Sequence, residues 1–233
     1  MTILALEFSS PQRSVAVARA GHVLGEVIET GAGLHPDQKA GALFRQAGAT
    51  EAFHMIEAAL REAKLEREQV ELLAVGLGPG SYTGVRVALS MAQGWQLARG
   101  AKLLGLSSMD CLAAQAQAER LFGRVNVIVD AQRNEFYLAT YEISADGWNT
   151  TRALRILPAG EIRSRAEAGE IFIGPEVKPR FPGSRTIFPR AATLAQLVVQ
   201  RDGFVAGEKL EPIYLREANF TKVPVWKSAA PGS

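Results

Sequence analysis

Cysteine occurs once in the 233 residues, at Cys111, which excludes an internal disulfide framework and fits a reducing compartment. A lone cysteine of this kind reads as a small buried hydrophobe. Histidine occurs three times, at His22, His35 and His54. No two of them stand four apart, so the H-x-x-x-H pair that brings two imidazoles to one helical face is missing. No apolar run approaches the roughly 20 residues of a membrane helix, and "MTILALEFSS" opens without the basic segment of a secretory leader. A cytoplasmic protein with no membrane contact is expected. Charge of one sign is scarce too: the net charge is +2, with Lys and Arg scattered and no basic run interleaved with aromatics. Such a chain carries no electrostatic footprint of a nucleic-acid binder.

What is present is an ordinary globular composition, 47% hydrophobic and 21% charged, enough for one large or two modest domains. The run "ILAL", from Ile3 to Leu6, is closed by Glu7 and the turn-rich "SSPQRS". The segment "VAVARAGHVLGEVIE" then alternates around Gly21 as a hairpin would, which gives three strands early. Residues 31–50 have no clean period and read as loop with a single helical turn. Thr50 is a candidate N-cap for an amphipathic helix in which Phe53, Ile56, Ala59, Leu60 and Ala63 recur at helical spacing. "LLAVGLG" reads as a buried strand, 85–99 as a second helix and "LLGLS" as another strand, closing an α/β unit. Further on, 191–200 looks helical, while "GPEVKPRFPGSRTIFPR" with its four prolines looks like loop.

Between strand and second helix lies "GLGPGSYTGVR". It fits none of three phosphate or nucleophile templates. G-x-G-x-x-G needs glycine at Thr83, a Walker A loop needs Gly-Lys-Ser/Thr after four free positions, and a G-x-S-x-G elbow needs glycine at Pro79. A helix N-terminus after a glycine loop still presents free N–H groups that could meet an anion. The competing explanation is structural: Gly78, Gly80 and Gly84 admit a tight turn, Ser81 or Thr83 caps the helix, and no ligand binds. On a helical wheel the apolar residues of 85–99, among them Val85, Leu89, Ala92 and Trp95, span an arc of about 220°, roughly twice what one sheet contact requires. The surplus can pack under a neighbouring helix or meet another molecule.

"VNVIVDAQRNEFYLATYE" repeats the opening pattern of apolar strand, terminal acid, short polar turn and alternating strand, with Asp130 in the place of Glu7. An internal duplication is expected, with lobes at 1–108 and 109–226 and a disordered tail at 227–233.

Four segments in order carry a family resemblance. "ILALEFSS", "GLGPGSYTGVRVALSMAQG", "VDAQRNEFYLATY" and "EPIYLRE" resemble the opening strand, the GPGSFTGxR segment, the DARxxEVYxxxY segment and the late PxYLR segment of the TsaB family. The resemblance implies an α/β fold of two actin/hexokinase-like (ASKHA) lobes, each a mixed β-sheet with flanking helices. It implies a non-catalytic partner of TsaD, the enzyme that transfers the threonylcarbamoyl group to the adenosine beside the tRNA anticodon. The partners implied are TsaD in a heterodimer, TsaE as a further component, a second copy when TsaD is absent, and tRNA only through the complex. No cofactor or metal is expected on the isolated chain, and ATP at a shared complex interface stays open.

Two departures stand out: Glu7 where the family usually has Asp, and "PDQKAGALFRQAGA" inserted before the first helix. The interface is expected on Phe53, Ile56 and Leu60 of that helix and on Val85, Leu89, Ala92 and Trp95 of the second, with Gly78, Gly80, Ser81, Thr83 and Gly84 as a structural loop. The alternatives are an active ATPase or kinase of this fold using Glu7 and Asp130 on Mg²⁺, and a glycoprotease-like hydrolase.

Overall fold

The structure, a computed structural model, describes residues 1–30, 47–175, 177, 181–199, 201, 204 and 206–215. The first lobe runs β1 (Thr2–Glu7), β2 (Gln12–Arg19), β3 (His22–Thr30), α1 (Ala47–Ala63), β4 (Leu72–Gly76), α2 (Tyr82–Arg99) and β5 (Lys102–Leu106). Its sheet has the order β3-β2-β1-β4-β5, antiparallel among the first three and parallel from β1 to β5. β1 is buried on both faces, which is why it reads as a continuous apolar run. Leu4 and Leu6 point into a core shared with α1 and α2. Ile3 and Ala5 point to the opposite face, where a helix from the far end of the chain packs.

The second lobe begins with α3 (Ser108–Ala118) and continues with β6 (Gly123–Asp130), β7 (Glu135–Ile143), β8 (Trp148–Pro158), α4 (Ala159–Glu167), β9 (Ile171–Gly174) and β10 (Arg185–Thr186). Its sheet order is β10-β9-β6-β7-β8. Read from the other end, this is the first sheet's order, with the same antiparallel and parallel pairings. The duplication seen in the sequence is therefore present in the topology: two lobes, each a mixed β-sheet with flanking helices. α3 covers one face through Leu112 and Ala116 against Val127 and Tyr141, and α4 covers the other through Ile162 against Phe136 and Phe172.

Division by chain order does not hold to the end. α5 (Ala191–Val198) packs on the first sheet with Leu194, Ala195 and Val198 buried against Ile3, Ala16 and Leu72. Its start is fixed from three sides: Ala191 N–H donates to Ser14 Oγ at 2.9 Å, Arg190 N–H to Gln115 Oε1 at 3.0 Å, and the Arg190 guanidinium pairs with Glu26. Residues 206–215 then run along α2, where Gln93 Nε2 donates to Gly207 O at 2.9 Å and Gly207 N–H to Gln96 Oε1 at 2.7 Å. Leu210 enters the first core. A second domain of 109–226 is thus corrected: the first sheet's outer face is apolar and needs α5 to cover it. The tail at 227–233 lies outside the described residues.

Two helix starts also differ. α1 begins at Ala47, so Thr50 lies inside the helix and does not cap it; alanines at 47 and 49 extend a helix readily. α2 begins at Tyr82, three residues before Val85, with Ser81 Oγ accepting from Gly84 N–H at 3.1 Å. It stops at Gly100 in the left-handed region, φ 69°. β8, α4 and β9 had no separate signal; β8 pairs with β7 but is largely exposed, so its sequence lacks a clean apolar alternation. Within the proline-rich segment, the two residues of β10 pair with β9.

Candidate functional site

The glycine loop explains itself by its own neighbours. A Cβ on Gly80 would lie 2.0 Å from the Ser9 carbonyl oxygen, and one on Gly84 would lie 2.0 Å from that of Phe8. Ser81 N–H donates to the same Ser9 oxygen at 2.7 Å. The loop therefore lies against the turn after β1, and its glycines clear space for that backbone. Gly78, at φ 83°, takes up a conformation that L side chains rarely adopt, ahead of a cis Gly78–Pro79 bond. Of the two expected caps, Ser81 makes the bond, while Thr83 is exposed on the first turn.

Glu7 is the centre of this packing. It is fully buried, with Oε1 accepting from Ser9 N–H at 2.8 Å and Oε2 from Ser108 Oγ at 2.8 Å. Ser108 also accepts from Gly78 N–H at 3.2 Å and donates its own N–H to Gly78 O at 2.9 Å. The carboxylate thus joins β1, the glycine loop and the first turn of α3. Burial pushes its pKa above the ordinary 4.5, and the hydrogen bonds from Ser9 and Ser108 work against that shift. Both oxygens accept hydrogen bonds within the chain, and the side chain is closed to solvent. Asp130 behaves differently: half-buried, it accepts from Gln132 N–H at 2.7 Å in the turn to β7. The two acids head matching strands but do different work.

The residues expected at a partner interface divide. Ile56, Leu60, Val85, Leu89 and Ala92 are buried in the first lobe's own core, so they cannot reach another molecule. The wide apolar arc of α2 is the reason: much of it meets β4, α1 and Leu210 within the chain. Trp95 is half-buried, and Phe53 is 52% exposed. His22 and His54 are exposed, and His35 lies outside the described residues.

The open surface lies on another stripe of α2. Tyr82 is 59% exposed and Leu97 89%; Arg86, Ser90, Gly94 and Ala98 are exposed, and Val87 and Met91 half-buried. At its N-terminal end a groove of about 300 Å³ is lined by Tyr82, Thr83, Arg86, Val87, Ser90 and Met91. Gly94 stands in the middle of the helix with nothing within 4 Å of where its Cβ would be. A helical glycine costs about 1 kcal/mol relative to alanine, and nothing within the described chain requires one there. Tyr214, from the late segment, packs against two of the groove's residues, Tyr82 and Arg86. Its ring is 5.7 Å from that of Tyr82, and its hydroxyl accepts from Arg86 Nη1 at 2.8 Å. Helical periodicity could not have found Tyr214; its only signal was the "EPIYLRE" match.

Comparison with known proteins gives the chain's family. The family model described as "TsaD: tRNA N6-adenosine threonylcarbamoyltransferase" matches residues 22–157, more than half of the chain. The protein named tRNA threonylcarbamoyladenosine biosynthesis protein TsaB in Escherichia coli is 27% identical over 179 residues, covering 70% of this chain and 78% of its own. Its namesake in Haemophilus influenzae is 26% identical over 190 residues, covering 73% and 80%. The solved structure of YeaZ from Pseudomonas aeruginosa superposes with a TM-score of 0.72 at 26% identity, over 92% of this chain and 99% of that one. None of the described helices is long and apolar enough to cross a membrane. With more than half of its length matched, and with TsaB proteins among its relatives over most of their length, the chain belongs to the TsaD family and resembles its TsaB members.

Proposed function

We propose that the chain acts in the formation of N6-threonylcarbamoyladenosine in tRNA as the non-catalytic partner of TsaD, docking through the open stripe of α2. The observation that carries the docking surface is Gly94, an exposed helical glycine flanked one turn away on each side by Ser90 and Ala98. Small residues at that spacing let a second helix approach closely, and Leu97 of α2 and Phe53 of α1 offer exposed apolar area. The names of the TsaB relatives, which tie those proteins to threonylcarbamoyladenosine biosynthesis, support the choice of TsaD as partner. The buried, internally bonded Glu7 speaks against the ATPase or kinase alternative, which needs that carboxylate free.

The rest of the proposal follows from the family reading. The chain works in the cytoplasm, holds no cofactor alone, meets ATP only at a surface shared with its partner, joins TsaE in the full assembly, and reaches tRNA through that assembly. Without TsaD, a second copy covers the apolar stripe.

The test is reconstitution with TsaD of the same organism, the adenylate-forming enzyme, TsaE, ATP, threonine, bicarbonate and tRNA. The chain alone should make no modified tRNA, TsaD without it little, and the two together much more. Gly94→Leu should keep or raise the melting midpoint, because leucine is the better helix former, and should weaken TsaD binding by tenfold or more. Modification by the chain alone, or full TsaD binding by the leucine variant, would overturn the proposal.

A further inference from the structure

Among the described residues that line the groove at the start of α2, Arg86 is the one cation. Its guanidinium carbon sits 3.4 Å above the Tyr82 ring centroid and 5.2 Å from that of Tyr214. One nitrogen, Nη1, donates to the Tyr214 hydroxyl at 2.8 Å. No carboxylate pairs with Arg86 among the described residues, although a guanidinium carries five donors in a fixed fork. Two rings and a hydrogen bond thus hold an exposed cation, without a carboxylate partner among the described residues, in one orientation beside the apolar walls of Val87 and Met91. Side chains already ordered lose little entropy on binding, and tyrosine and arginine are enriched among the residues that dominate interfaces.

We infer that Arg86 is a specificity-determining contact that receives an aspartate or glutamate of the partner subunit, and that it favours the heteromer over a pair of identical chains. The inference rests on the proposed pairing with TsaD. α2 carries no acidic residue at all, its charges being Arg86 and Arg99. A two-fold pair built α2 against α2 brings like surface to like surface, so the second copy's α2 offers Arg86 no counter-charge, and a buried unpaired charge is costly. A different subunit can supply a carboxylate, which matches the guanidinium fork with two parallel hydrogen bonds. A nucleic-acid phosphate fits less well, because polyanions are held by several cations acting together, and the other lining residues, Thr83 and Ser90 among them, are uncharged.

The experiment measures two equilibria on the full chain: affinity for purified TsaD and the self-association constant. Arg86→Glu should weaken TsaD binding by about 100-fold and leave self-association unchanged or tighter. Arg86→Gln should weaken TsaD binding by about tenfold, and Tyr214→Phe, which keeps the ring and removes the orienting hydroxyl, by a smaller factor. An unchanged melting midpoint for the glutamine variant excludes a folding defect as the cause. A panel of Asp→Arg and Glu→Arg variants of TsaD should contain one that restores binding to Arg86→Glu. If wild-type chain binds TsaD and Arg86→Glu binds within threefold of it, this inference fails while the proposed pairing stands. Equal weakening of both equilibria, or no rescuing exchange, also overturns it. If wild-type chain does not bind TsaD, the proposed pairing fails first.

Discussion

The two lobes share a strand order and differ in what fills their connections. Between β3 and β4 the first lobe carries the 17 residues of α1, whereas between β8 and β9 the second carries the 9 residues of α4. Between β4 and β5 lie the 18 residues of α2, whereas β9 and β10 are joined by residues 175–184, too few for such a helix. Both lobes end their inner parallel strand on a glycine against the first strand. A Cβ on Gly76 would lie 2.1 Å from Glu7 Oε2, and one on Gly174 would lie 1.9 Å from Ile128 O. The shared sheet therefore fixes the shared close approaches. The candidate docking surface belongs to the helices, which only the first lobe has at full length.

The sharpest way to break this comparison is within α2 itself. Leu89 is buried in the core and Leu97 is 89% exposed. Leu89→Arg should cost about 4 kcal/mol or more and unfold the first lobe, because it buries a charge without a partner. Leu97→Arg should change stability by less than about 0.5 kcal/mol while reducing TsaD binding. Thermal melts of the two variants decide; an unaltered midpoint for Leu89→Arg would show that the core assignment is wrong.

A smaller effect contrasts a crowded glycine with an open one. Gly84→Ala places a methyl group against the Phe8 carbonyl and should destabilise by about 3 kcal/mol, since a backbone atom cannot step aside. Gly160→Ala in α4, where nothing lies within 4 Å, should stabilise by up to about 1 kcal/mol. Urea midpoints of equal size for both would remove the distinction drawn between the loop and an ordinary helical glycine.

The smallest expected effect compares wild type with Glu7→Gln through pH. Glu7 has a folded pKa above its ordinary 4.5, so the folded state holds a proton that the unfolded state has released. Stability should therefore be greatest below the ordinary value, fall as pH rises through the interval up to the folded pKa, and level off above it. Glu7→Gln keeps an acceptor for Ser9 N–H and removes the titration, so the difference between variant and wild type should grow across that interval and then stay constant. Urea unfolding at a series of pH values reads both, and parallel curves for wild type and Glu7→Gln would refute the assignment.

The early strands, the glycine loop, both long helices and the duplication were legible because each rests on near neighbours in the chain: alternation, helical period, turn residues. The interface was legible only as a helix. A wheel shows that α2 is apolar around more than half its girth, but which edge faces outward depends on Leu210 and on Gln93 and Gln96 gripping Gly207 from more than a hundred residues away. For the same reason α5 could be read as a helix but not as the cover of the first sheet. The sequence by itself determined the local elements and, through the four matched segments, the family, since these depend on residues that act over short spans. Tertiary structure alone decided that Glu7 is sealed between strand, loop and α3, that five of the seven expected interface residues are core, and that Arg86 stands between Tyr82 and Tyr214. Those are outcomes of which distant surfaces meet, and burial, unlike periodicity, has no local code.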